Sequence, residues 1–96
     1  MHVTMRHYSG SGAKELADIA EKGPASLESA MRKTPNFVSY NLVRVPDGVI
    51  SITVCKDKAG TDESAKLAAG WVKEHGGHLK VSPPQVTQGP VIVHAK

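Results

Sequence analysis

The chain has 96 residues, of which 40% are hydrophobic, and a formal charge of +3; that length suffices for one modest core and leaves no room for a second. No apolar run approaches the roughly 18 residues of a membrane span, Met1–Tyr8 is too short and too polar for a secretory leader, and the lysines and arginines are interleaved with acids rather than gathered into the basic face that nucleic acid requires. The single cysteine, Cys55, has no partner for an internal disulfide, which suits a reducing compartment and predicts a cytoplasmic protein.

In chain order, period-two alternation over Val3–Tyr8 predicts a first strand. Ser9-Gly10-Ser11-Gly12 breaks it, with Ser9 or Ser11 placed to cap the helix that follows. Neither G-x-G-x-x-G nor G-x-x-x-x-G-K-[ST] is present, so these glycines are turn chemistry and not a phosphate cradle. Over Ala13–Lys33, Leu16, Ile19, Ala20, Leu27, Ala30 and Met31 hold one helical phase across Pro24, which predicts one bent helix or two short ones in line. Pro35-Asn36 ends that segment. Strands are expected at Phe37–Arg44 and Val49–Lys56, joined by the hairpin turn Pro46-Asp47-Gly48. Thr61 is a good N-cap for a second helix over Thr61–His75, with Asp62 and Glu63 at its positive end and Gly76-Gly77 as its stop. Beyond a loop containing Pro83-Pro84, a last strand is expected over Gln85–His94. The order strand, helix, strand, strand, helix, strand is the split βαβ plan. It predicts an α+β, ferredoxin-like βαββαβ fold, an antiparallel four-stranded sheet with two helices on one face, as a single domain over residues 1–96.

Alternation also divides the sheet. Val3, Met5, Val38, Leu42, Ile50, Ile52 and Val54 mark an apolar face expected to carry both helices. The other face holds Thr4, Arg6, Ser39, Asn41, Ser51, Thr53 and Cys55. Periodicity leaves it equally open to water, as in many antiparallel sheets, or to the same face of a second copy.

Four residues are candidates for chemistry. His7 continues the Val3–Met5 face, Tyr40 lies between Val38 and Leu42, His75 shares the inward phase of the second helix with Thr61, Ala65, Ala68 and Val72, and Trp71 lies at the edge of that phase. A layer of His, Tyr, Trp and His among alanines is the usual form of a small-molecule site. His75 or His7 would act as general base on a phenol, with Trp71 and Tyr40 as walls. The plain structural alternative is that the helix-end histidine answers the last carbonyls and the aromatics fill a core. His75 and His78 flank two glycines at a helix end and have no cysteine or carboxylate pair to complete a zinc set. Cys55 has no adjacent histidine and is expected to be a packed thiol. Other ferredoxin-like activities lack their marks: the central strands hold no aromatics for stacking RNA bases, there is no C-x-x-C pair for a metal carrier, and Tyr8 to Ala13 offers no Arg for an acylphosphatase.

Several segments together resemble a known group. They are Thr34-Pro35-Asn36-Phe37-Val38-Ser39-Tyr40 entering a strand, the Asp47-Gly48 hairpin, Cys55-Lys56-Asp57-Lys58-Ala59-Gly60-Thr61-Asp62-Glu63-Ser64 leading into a helix with Trp71-Val72, and the tail from Pro83-Pro84 to His94-Ala95. They are similar to the dimeric α+β barrel superfamily and, within it, to small proteins of the antibiotic-biosynthesis-monooxygenase type. The resemblance covers nearly the whole chain. It implies a homodimer whose sheets face each other, and a small hydrophobic or aromatic molecule held between sheet and helices of each subunit. It also implies no cofactor, since the quinone-forming branch oxidises polyphenols without metal or flavin, using Trp, Asn, Tyr, His or Arg groups that bind a substrate anion. The turn Pro35-Asn36-Phe37 departs from the group's Pro-Gly-Phe, with Asn as the natural substitute where a left-handed residue is needed. The haem-degrading branch combines a first-strand Asn with a spaced Trp and His; here that strand has no Asn, and Val81 stands where the spacing from Trp71 calls for His. The resemblance thus implies a cofactor-independent monooxygenase for a small aromatic or polyketide-like compound, or else a non-catalytic dimeric small-molecule-binding or stress-related domain.

Overall fold

The computed structural model describes residues 1–95, with elements β1 (His2–Ser9), α1 (Ser11–Lys22), α2 (Pro24–Arg32), β2 (Phe37–Val45), β3 (Gly48–Cys55), α3 (Lys58–Gly76) and β4 (Gln85–Pro90). The strands form one sheet in the order β2-β3-β1-β4, each neighbouring pair antiparallel. This is the ferredoxin-like α+β plan, with β1 and β3 central and the helices packed on one face. Among the described residues no helix is long and apolar enough to cross a membrane.

Local chemistry explains most boundaries. The long first helical phase resolves into two helices at Gly23, with Pro24 in the first turn of α2, where its missing N–H costs nothing. Asn36 takes a left-handed backbone at φ 56°, as expected of the residue replacing Gly in that turn, and its Nδ2 donates to Asp57 Oδ2 at 3.1 Å. Asp57 is the cap of α3, its Oδ1 accepting from the Gly60 N–H at 2.8 Å. The helix therefore starts earlier than Thr61, whose Oγ1 instead donates to the Lys58 carbonyl at 2.9 Å from inside the first turn. Neither Ser9 nor Ser11 caps α1; Gly10 stands at that position with φ 96° and no side-chain bond. The last strand stops at Pro90, short of His94. Proline has no N–H to extend a ladder, and the Val91 N–H bonds to the Met1 carbonyl at 2.9 Å before Ile92 and Val93 run out exposed.

The two faces of β1 and β3 are the reverse of the expectation. Thr4, Arg6, Tyr8, Val49, Ser51, Thr53 and Cys55 are buried beneath the helices, while Val3, Met5, His7, Ile50, Ile52 and Val54 look out from the open side. A bulge between Phe37 and Ser39 adjusts β2, after which Tyr40, Leu42 and Arg44 align with the helix-facing side. The physical reason lies in the helices. Their inner stripes are small, with Ala13, Ala17 and Ala20 on α1 and Gly60, Thr61, Ser64 and Ala68 on α3, so the backbones approach closely and short strand residues fit beneath. At Gly60 an added Cβ would lie 2.6 Å from the Pro35 carbonyl oxygen. The larger core side chains, Tyr8, Leu16, Leu27, Met31, Val49 and Trp71, gather where spacing permits.

Candidate functional site

Between α1, α2 and the β2 edge of the sheet lies a cleft of about 550 Å³. Its walls are Ala17 and Ala20 of α1, Leu27 of α2, Phe37, Tyr40 and Leu42 of β2, and Val49 of β3. Exposed Glu21, Glu28, Arg32 and Arg44 make its rim. Arg44 donates to Asp18 Oδ1 at 2.9 Å and Glu21 Oε2 at 2.7 Å, tying β2 to α1 beside the opening. Such exposed pairs add little stability but hold a geometry.

Deeper in, a smaller cavity of about 20 Å³ shares Ala20, Leu27, Tyr40, Leu42 and Val49 with the cleft and adds Arg6, Tyr8, Leu16, Ser51, Ala68, Trp71 and Val72. It has room for about one water. Arg6 belongs to this inner wall. Arg6 is 4% exposed, its Nε donates to Ser51 Oγ at 3.4 Å, and among the described residues its buried Nη2 has no partner. Burial pushes the Tyr40 phenol up to about 12, the Arg6 charge pulling it down and Tyr8 adding a smaller upward push.

The four candidates do not share one site. Tyr40 and Trp71 meet at the inner cavity. Trp71 is 6% exposed and belongs to the buried stripe of α3 rather than its edge; its Nε1 donates to Ser26 Oγ at 3.2 Å. The His75 ring packs against it, centroids 4.7 Å apart and planes tilted 37°, but His75 is absent from the walls of both cavities. His7 lies elsewhere. It points to the open face with Val3 and Met5, with Nε2 3.0 Å from Asp47 Oδ1 of the hairpin. It shares its face with Val3 and Met5, as the alternation predicts, but that face is turned away from the helices and not toward them.

Arg6, Tyr8 and Ser51 are the inner-wall residues that sequence reasoning passed over as candidates. Their signal was present in the polar alternation of Thr4, Arg6 and Tyr8 beside Ser51 and Thr53, which marked a covered polar layer and not an outer face. Cys55 is fully buried; burial and, secondarily, the Asp57 carboxylate push its thiol up, so it is a packing residue and not a nucleophile. Among the described residues no group of three His, Cys, Asp or Glu side chains is set to hold a metal ion.

No protein-family model and no curated protein matches this sequence. Solved structures do match its backbone. HapK from Hahella chejuensis superposes with a TM-score of 0.72 at 14% identity, over 100% of this chain and 97% of that one. A monooxygenase from the gene ActVA-Orf6 of Streptomyces coelicolor, in complex with the ligand Nanaomycin D, has a TM-score of 0.65 at 16% identity, over 98% of this chain and 92% of that one. A dimeric ferredoxin-like protein from an uncultured marine organism has 0.60 at 13% identity, over 99% and 97%. These likenesses show the ferredoxin-like α+β fold. At these identities the likeness is one of backbone, and within this α+β fold the cleft and its inner cavity are defined by this chain's own side chains.

Proposed function

We propose that this chain is a cofactor-independent monooxygenase for a small aromatic or polyketide-like compound. The observation that carries the proposal is the cleft of about 550 Å³, with apolar walls suited to a ring and with Tyr40 shared with the adjoining small cavity that Trp71, Tyr8 and Arg6 line. The monooxygenase of similar fold, solved with Nanaomycin D, supports it by analogy. In the proposed reaction a phenol with a free ring carbon loses two hydrogens and gains one oxygen atom from dioxygen, whose second atom leaves as water. Tyr40 and Trp71 serve as walls, and His75 acts through Trp71 by fixing the indole plane. The test is oxygen uptake with a panel of phenolic and anthrone-type compounds in chelator-treated buffer without flavin. Uptake matched mole for mole by quinone is expected; saturable binding without uptake would refute catalysis.

That second outcome corresponds to a non-catalytic small-molecule-binding domain. One observation favours it, since neither His7 nor His75 reaches a cavity wall to serve as base. We further propose that two copies pair through the open sheet face. Val3, Ile50, Ile52 and Val54 lie there beside Met5 and Val43, which are 36% and 43% exposed, and a contiguous apolar face of this kind is one that monomers seldom leave bare. A two-fold contact would cover it on both copies at once.

A further inference from the structure

We propose that the ligand of the cleft carries an anionic oxygen, as a carboxylate or an acidic phenolate, and that Arg6 receives this oxygen at the inner end. The inference rests on the cleft being the ligand site and adds the ligand's charge and its orientation.

Arginine is almost never fully buried unless paired. Here its side chain is 4% exposed, its bond to Ser51 is long at 3.4 Å, and Nη2 is buried with no acceptor among the described residues. On the surface Arg32 and Arg44 each hold carboxylates, whereas no described carboxylate comes within ion-pair distance of Arg6. The polar side chains beside it on the inner wall, Tyr8, Tyr40 and Ser51, are hydroxyls. Tyr40 cannot supply the missing charge, because its phenol stays protonated through neutral pH. A buried cation without a counter-charge is strongly unfavourable, and a single water in the small cavity would solvate one N–H without neutralising the group.

The chemistry of the missing partner follows from the walls. The inner cavity, about 20 Å³, admits only the tip of a ligand, while the walls it shares with the wider cleft are the apolar Ala20, Leu27, Leu42 and Val49 beside Tyr40. An apolar ring in the cleft with a compact anionic group leading inward satisfies both. The planar fork of guanidinium suits a carboxylate or phenolate oxygen better than a point charge would.

Calorimetry with naphthoate, its neutral isostere naphthamide, and pentafluorophenol as its anion tests this on the whole chain. Naphthoate or the phenolate is expected to bind about 10- to 100-fold more tightly than the amide, and the tighter of the two names the oxygen. Arg6→Met is expected to abolish that difference by bringing the anions down to the level of the amide, and to keep or raise the melting temperature, since it removes an unpaired buried charge; Arg6→Lys should restore part of the preference. A merely structural arginine would instead lower the melting temperature without touching the anion preference. Equal binding of acid and amide by the wild type would overturn the role of Arg6 while leaving the cleft as the site. No binding of any probe would overturn both. Should Arg6→Met fail to fold, the acid-against-amide ratio of the wild type decides alone.

Discussion

Replacing Trp71 by alanine probes the helix-facing layer most directly, because its cost can be worked from the side chain's surroundings. Trp71 is 6% exposed and packs with Tyr8, Leu16, Leu27 and Val49 in one cluster. Truncating a buried tryptophan costs about 3–5 kcal/mol. The bond to Ser26 adds less than about 1 kcal/mol, since the freed hydroxyl is exposed and rehydrates. The neighbouring void of about 20 Å³ already carries about 0.5 kcal/mol at about 24 cal/mol per Å³. Walls that leave this void open will not collapse readily into a larger one. A loss near 4 kcal/mol is therefore expected, a large part of the roughly 5–15 kcal/mol of a typical domain. Urea denaturation followed by circular dichroism measures it, with Trp71→Phe as the milder control and His75→Ala, which removes one tilted aromatic contact, expected to cost about 0.5–1.5 kcal/mol. An aromatic ligand at a hundred times its dissociation constant should return about 2.7 kcal/mol to whichever variant still binds it. A loss below about 1 kcal/mol for Trp71→Ala would refute the placement of this indole in the core.

Size-exclusion chromatography with light scattering should report about twice the 10.2 kDa chain mass, and Ile52→Asp, placed on the open face, should give a folded monomer; a dimer unaffected by that charge would put the contact elsewhere. Tyr40 should ionise near 12 and not at the ordinary 10, read as the ultraviolet phenolate signal missing in Tyr40→Phe. Because the folded value is raised, the corresponding stability is fully present below pH 10 and falls as pH rises toward 12; a midpoint at 10 would contradict the buried phenol. Gly60→Ala should destabilise strongly by thermal melt, since the new methyl would meet the Pro35 carbonyl and the Cys55 side chain.

The fold was legible because its signals are local. Pro24, the Asp47-Gly48 hairpin, Gly76-Gly77 and the alternation of Val49 to Cys55 each speak through a few neighbouring residues. Boundaries failed where two caps competed, as with Asp57 against Thr61, or where a proline entered a strand, as at Pro90. Period puts Tyr40 and Trp71 in the layer beneath the helices, where the structure has them, but His7 lies on the open face and Arg6 beneath the helices, because apolar alternation does not say which sheet face the helices cover. A face destined for another sheet can be as apolar as a core, and a face built around a ligand can be more polar than one. The sizes of the residues on the helices decide between them. The run of alanines on α1 and the Gly60, Ser64 and Ala68 stripe on α3 were visible in the sequence, but their meaning appears only once they meet Thr4, Arg6, Ser51 and Thr53 across the layer.

The central claim is that an aromatic small molecule occupies the cleft on the helix side of the sheet. Amide chemical-shift mapping with a saturating naphthoate or phenolic ligand tests it in one titration, because the two faces of β3 alternate residue by residue. Shifts are expected to concentrate at Ala20, Leu27, Leu42, Val49 and Ser51. Shifts confined to Ile50, Ile52 and Val54, or no shifts anywhere, would contradict it.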